Sequence, residues 1–346
     1  MINRVQQLDY LRGLSALGIV IYHYSTWSST INNSNNLLQR FGIYGVAIFY
    51  ILSGITLYLV YNSKSFTFAN LYSYAIKRFF RIMPLLWLAI FSTLIISSKK
   101  FSIYQIILNL SGIFGFIDPS AYIAGGSWSI GNEIVFYFIF PFLLYLSKRS
   151  TFISAIFFLA FFLIHITFSF HKIDPSLSFE ENWSFYVNPL NQIFFFVAGV
   201  FLTKFLFNSK IPDIVYYLCL ISAAIIFIFW KTSSKTSLIY GYDRIMFSFA
   251  SILICFSILK LNISFSGITN KFLIYLGEVS YSIYLMHPIV WYVNKWIYTS
   301  LFKSQFDFVV LSIVSILFTF IISHITYNKF EVFWINFSKR ILKSKM

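Results

Sequence analysis

The stretch "FISAIFFLAFFLI", residues 152–164, decides the solvent and the fold. Apart from Ser154 it holds only apolar side chains. It does not alternate polar with apolar positions, as a strand of a membrane barrel must. A lipid interior offers the backbone no hydrogen bonds, so such a run closes its own as a helix. Taken over 152–170, it reaches about 28 Å at 1.5 Å per residue, enough to cross a bilayer.

Runs of this kind recur from end to end. The chain of 346 residues is 58% hydrophobic and 11% charged, with a mean hydropathy of +0.76, where a soluble domain carries about a quarter charged residues. The expectation is an all-α polytopic membrane protein. Spans are placed at about 12–30, 42–61, 80–98, 130–147, 152–170, 187–205, 213–230, 244–261, 279–298 and 308–327. Residues 101–117, "FSIYQIILNLSGIFGFI", are the ambiguous stretch. With ten spans and a cytoplasmic N-terminus, 17 of the 26 lysines and arginines fall inside; with 101–117 as an eleventh span the inner share drops to 12. The positive-inside rule therefore favours ten spans, both termini cytoplasmic, with 101–117 lying along or dipping into the outer face.

The net charge of +15 does not imply nucleic acid, because the basic residues gather in short pieces between apolar runs, where loops meet anionic headgroups. The N-terminal run lacks a cleavage site and is interrupted by Arg12 and His23, so it reads as a retained helix. Cys219 and Cys255 sit in apolar stretches and imply neither a metal nor a disulfide. No repeat or linker divides the chain, which reads as one membrane domain, 1–346.

Polar residues inside the spans carry the functional signal, because burying them in lipid is unfavourable without partners. Arg12 and His23 are eleven residues apart, nearly three turns, so they share a helix face about 16 Å apart along the axis. Two readings are open: headgroup snorkelling with a satisfied histidine, or a site. In "KRFFRIMPLLW", residues 77–87, Arg78 and Arg81 share a face at the cytoplasmic boundary. With Lys77 and Arg12 they form either a positive-inside anchor or a polyanion site, guanidinium forks being matched to phosphate. In "GGSWSIGNEIVFYFIFP", residues 125–141, Glu133 lies one turn into a span, able to orient an imidazole or simply to reach interfacial water. Ser127 and Trp128 just before it are candidate oxyanion donors. His287, preceding Pro288, either lines the same cavity or caps a carbonyl that the proline frees. Ser53 and Gly54 read as small residues for close helix contact, and Asp9 as a partner of Arg12 or of neighbouring backbone. His165, His171 and His324 read as structural, and Glu278 as a headgroup-level residue.

Five pieces together resemble the acyltransferase-3 family, integral-membrane enzymes that O-acylate surface carbohydrates. "LDYLRGLSALGIVIYH" (8–23) fits the family's Arg-x10-His motif, and "YGVAIFYILSGITL" (44–57) its Gly-Val…Phe-Phe-x-Leu-Ser-Gly stretch, with Tyr50 in place of the second phenylalanine. "RFFRIMP" (78–84) fits Arg-x-x-Arg, "SWSIGNEIVFY" (127–137) fits Ser-Trp-Ser-x-x-x-Glu-x-x-Phe-Tyr, and "LGEVSYSIYLMHP" (276–288) matches near the end. The resemblance implies an acyl donor, acyl-CoA and commonly acetyl-CoA, with no metal. It implies an acceptor hydroxyl on a surface polysaccharide or lipid-linked glycan, and a bacterial inner (cytoplasmic) membrane. Arg12, Arg78 and Arg81 would hold the donor; His23 would be the catalytic base and Glu133 its partner or a second acid–base group. The chain stops soon after the last span, so the SGNH-type domain fused in some members is not expected, and a separate periplasmic partner would have to supply any later step. The rival from another class is a proton-coupled glycan or lipid-intermediate transporter.

Overall fold

A computed structural model describes residues 5–28, 36–302 and 307–344. Its helices are α1 (Gln6–Trp27), α2 (Leu37–Tyr61), α3 (Phe68–Ile96), α4 (Ile103–Ser111), α5 (Phe114–Ile117), α6 (Trp128–Arg149) and α7 (Thr151–Thr167). They continue with α8 (Trp183–Tyr186), α9 (Pro189–Leu206), α10 (Asp213–Phe229), α11 (Gly241–Lys260), α12 (Gly267–Phe302), α13 (Phe308–Ile325) and α14 (Val332–Lys343). Among the described residues there is no strand.

Seven of the helical stretches described are long and apolar enough to cross a membrane: α2, α3, α6, α7 with its π-turn, α8–α9, α11, and α13 continuing through a π-turn into α14. This is the all-α polytopic membrane fold expected. Each of the ten expected spans overlaps a helix of 17 residues or more, residues 29–30 of the first lying outside the described residues. Three of those helices differ from the seven for visible reasons. At 17 residues α10 is apolar but short, whereas α1 and α12 carry polar residues that face other helices.

Residues 101–117 do not form one long helix. Ser102 opens α4 with a reciprocal capping box to Gln105, and Gly112 closes it in the left-handed region, φ +74°, before the single turn of α5. Nine residues of helix rise about 14 Å, half of what a crossing needs.

Helix directions emerge from contacts at two levels. Tyr50 meets Ser129 and Asn132, and Ser53 meets Tyr137, so α2 and α6 run parallel. Ile43 meets Tyr186, and Gly54 meets Phe196 and Val200, so α2 and α9 also run parallel. An intervening crossing by 101–117 would have made α2 and α6 antiparallel.

Helix α1 packs closely against α12. A Cβ on Gly13 would stand 2.8 Å from the Gly277 nitrogen, and one on Gly277 only 2.3 Å from the Asp9 carbonyl oxygen. Ten residues further along both helices, His23 meets His287. The pair is therefore parallel and in register, its backbones brought together by two glycines as in membrane helix pairs generally.

Candidate functional site

Five helices enclose a cavity of about 200 Å³. Arg12 comes from α1, Ser53 and Thr56 from α2, Arg78 and Arg81 from α3, Glu133 and Tyr137 from α6, and Tyr281 and Tyr284 from α12. The structure thus brings together all three arginines expected to hold an anion, with Glu133 among them. Lys77 does not line this cavity.

The arginines are held differently. Arg12 pairs with Asp9 at 3.2 Å, the partner expected for it, and donates to Thr56. Arg81 pairs at 2.6 Å with Glu331, which is itself bonded to Ser282 and buried. A π-turn, Thr326–Glu331, extends α13 and carries Glu331 to that position. Among the described residues Arg78 has no carboxylate within 4 Å and its buried Nε no hydrogen-bond partner; its guanidinium lies 5.4 Å over the Tyr137 ring. Glu133 interacts with Arg78, Arg12 and Arg81 and with the Tyr137 hydroxyl. A guanidinium whose donors are not consumed by a carboxylate is available to an incoming anion.

His23 is not beside Glu133. Its Nδ1 lies 2.9 Å from Nε2 of His287, and its ring lies parallel to Trp27 with centroids 4.9 Å apart. The pairing of His23 with Glu133 considered from sequence is therefore replaced by His23 with His287, and Glu133 belongs to the arginine cavity. The reason is geometric. Glu133 enters on α6, whose packing against α2 and α3 turns it toward Arg78, whereas α12 lies in register with α1 along its length. Tyr24 fixes that register, donating to the His287 carbonyl at 2.9 Å and sharing a hydrogen bond with Thr319.

Ser127 and Trp128 do not line the cavity. Ser127 is fully buried with its hydroxyl donated to the Ala124 carbonyl, and Trp128 packs against Trp183 and Tyr186. Ser129 takes the place expected of Ser127: it lines the cavity and donates to the Tyr284 hydroxyl. Gly126, at φ +76°, lets the preceding loop turn under Tyr284, whose hydroxyl donates to the Gly126 carbonyl. Tyr284 connects the two parts of the site, with its hydroxyl at the cavity wall and its ring 6.0 Å from that of His287.

Residues that sequence reasoning passed over include Tyr137 and Ser53, bonded to each other at 2.8 Å on the cavity wall. Tyr137 is one helical turn beyond Glu133, a spacing that could have drawn attention to it. Of the two small residues expected at a helix contact, Gly54 packs against α9, but Ser53 faces the cavity. Glu331 gave no local sign, because its partner lies 250 residues away. His165 is structural as expected, buried against Ser248, Arg244 and Phe194. Among the described residues no group of His, Cys, Asp and Glu could hold a metal ion.

No curated protein and no solved structure matches the chain. A family model described as an acyltransferase domain, that of the acyltransferase-3 family, matches residues 5–327. The match runs from α1 through α13 and contains every residue of the cavity and the histidine pair. A membrane protein by its helices, with an arginine-lined cavity joined to a histidine pair, the chain belongs to the acyltransferase-3 family and is an enzyme that transfers acyl groups.

Proposed function

We propose that the protein moves an acyl group, acetyl by the habit of the family, from cytoplasmic acyl-CoA to a hydroxyl of a surface polysaccharide or lipid-linked glycan. It would do so as a multi-pass protein of the bacterial inner membrane, with ten crossings and both termini in the cytoplasm. The observation that carries this reading is the cavity in which Arg78, with no carboxylate within 4 Å among the described residues, stands beside Arg12 and Arg81, joined through Tyr284 to the histidine pair. The parallel course of α2, α6 and α9 supports the ten crossings.

In this reading the diphosphate of the donor sits at the mouth of the cavity on Arg78, with Arg12 and Arg81 as flanking charges. A cavity of about 200 Å³ is suited to the slender pantetheine arm rather than the nucleotide. Glu133 acts on that wall, keeping the arginines turned inward and serving as an acid–base group apart from the histidines. The arm carries the thioester past Tyr284 toward His23. There the acceptor oxygen attacks the thioester carbon while His23 takes its proton; the C–O bond forms, the C–S bond breaks, and the thiolate leaves with the proton. Hydroxyls are weak nucleophiles at neutral pH, so removing that proton in the transition state is worth on the order of a hundredfold or more.

The test is to express wild type and His23→Ala at matched membrane levels in a glycan-producing host and measure alkali-labile acyl groups on the purified polysaccharide. Wild type is expected to add them and the variant to lose most of that addition, with free coenzyme A released from labelled acetyl-CoA only by wild type. Equal acylation by both would remove His23 from the chemistry. Glycan export without coenzyme A release would point to a transporter.

A further inference from the structure

The two ring nitrogens of His23 have different surroundings. Nδ1 faces Nε2 of His287 at 2.9 Å, while Nε2 has no hydrogen-bond partner among the described residues. The two rings are within 10° of parallel with centroids 5.0 Å apart. An N···N distance of 2.9 Å at that centroid separation places the two nitrogens head to head in a common plane, as a hydrogen bond between rings requires, rather than one face over the other.

The direction of that bond is set from the far side of His287. Its Nδ1 lies 3.2 Å from the carbonyl oxygen of Ile283, with the Tyr284 carbonyl also in range. Pro288 has no N–H to give Tyr284 in the helical ladder, so that carbonyl is left seeking a donor. Carbonyl oxygens only accept, so the proton of a neutral His287 is on Nδ1, and its Nε2 carries a lone pair. That lone pair can only accept from His23 Nδ1–H, which leaves His23 Nε2 unprotonated.

We propose that His287 is a positioning residue, holding His23 in the one tautomer whose outward nitrogen can accept a proton, and that the reacting atom is therefore His23 Nε2. This rests on the acyl-transfer reading above and goes beyond it by assigning the nitrogen and its partner. During transfer the acceptor O–H proton passes to His23 Nε2. The resulting imidazolium keeps donating through Nδ1 to His287, and the proton then leaves with the thiolate. The parallel Trp27 ring and the Tyr24 bond to the His287 carbonyl hold both imidazoles at this register.

The test uses the full-length protein in nanodiscs with 15N-labelled histidine, His23 being assigned by its loss in His23→Gln. The expected spectrum shows a protonated Nδ1 and a bare Nε2 for His23, changing to a tautomer mixture in His287→Phe, which cannot accept. Turnover of acetyl-CoA in host membranes should fall about a hundredfold in kcat in His287→Phe with KM for acetyl-CoA unchanged. His287→Gln, whose amide oxygen can accept from Nδ1, should keep the tautomer and recover at least a tenth of wild-type kcat. A wild-type His23 protonated on Nε2, an unchanged tautomer in His287→Phe, or full turnover in that variant would each overturn the proposal. Should His287→Phe not accumulate, loss of the tautomer in His287→Gln with turnover intact would overturn it equally. Absence of wild-type turnover would count against the acyl-transfer reading, while the spectrum would still decide the tautomer on its own.

Discussion

Arg78 and Arg81 are three residues apart on one helix, yet their chemistry differs because their partners do. Arg78 faces the cavity over Tyr137 with no carboxylate within 4 Å among the described residues, whereas Arg81 is tied to Glu331. Arg78→Gln is therefore expected to raise KM for acetyl-CoA tenfold or more with a smaller effect on kcat, since a charge-assisted bond to phosphate is worth roughly 1.5–3 kcal/mol. Steady-state coenzyme A release at varied donor concentration measures it. Arg81→Gln should act mainly on folding. It leaves Glu331 buried without its counter-charge, a loss of about 3 kcal/mol for a buried pair broken on one side. Thermal unfolding in detergent should show the drop, and the double variant with Glu331→Gln should restore much of it. A double variant as unstable as the single one would mean that the pair does not govern stability here. Cavity residues of this kind were half legible in the chain. The arginine spacing and Glu133 stood out as polar residues in apolar runs, but nothing local distinguished Arg78 from the two arginines held by a close carboxylate.

At the scale of elements, the pairing of α1 with α12 places the histidines. Gly277→Ala would drive a methyl group toward the Asp9 carbonyl, which lies 2.3 Å from the position of that Cβ. The helices must then separate, with an expected loss of about 1–3 kcal/mol and a fall in turnover as His23 and His287 part. Gly18→Ala on α1 meets nothing within 4 Å and is the matched control. Thermal midpoints and turnover of the two variants make the comparison; equal effects would refute the close-packing account. The connection after the α7 π-turn adds carboxylate contacts to the apolar burial of Ile173 and Phe179. Asp174 accepts from the Ser176 N–H and hydroxyl, and Glu181 from those of Ser178. These bonds hold both carboxyls below the usual carboxylate range. A depressed folded pKa means the unfolded loop binds more protons. The contribution is thus present at neutral pH and is lost as pH falls through the lowered values. Amide exchange of residues 173–182 is expected to quicken in acid below about pH 4 while the spans stay protected; exchange that is flat with pH across that window would dismiss these contacts as stabilising.

For the whole molecule, two lysines on the arginine side bind helix ends. Lys260 donates to the carbonyls of Leu206, Phe207 and Ser209, and Lys204 to the Ser150 carbonyl, meeting the exposed carbonyl ends of helices. Cations are favoured there by the helix dipole. The topology itself is open to direct test. With the native cysteines replaced, single cysteines at Lys99 and Ser176 are expected to react with a membrane-impermeant reagent from outside. Those at Ser65 and Ser209 should react only after the membrane is opened. Labelling of Lys99→Cys and Ser176→Cys from opposite sides would mean that the segment between them crosses an odd number of further times.

Local chemistry and helical period, both written in the chain, account for one part of this protein. Apolar runs too long and too regular for strands had to become membrane helices, and Gly112 had to end α4. Arg12, Arg78, Arg81, Glu133, His23 and His287 stood out because polar groups in such runs need partners. The identity of those partners came from the packing of helices far apart in sequence. His23 reaches His287 rather than Glu133 because Gly13 and Gly277 bring α1 and α12 together in parallel register. Arg81 pairs with Glu331 because a π-turn carries that residue back from the far end of the chain. Helical periodicity reports which face a residue occupies, but not which helix that face will meet.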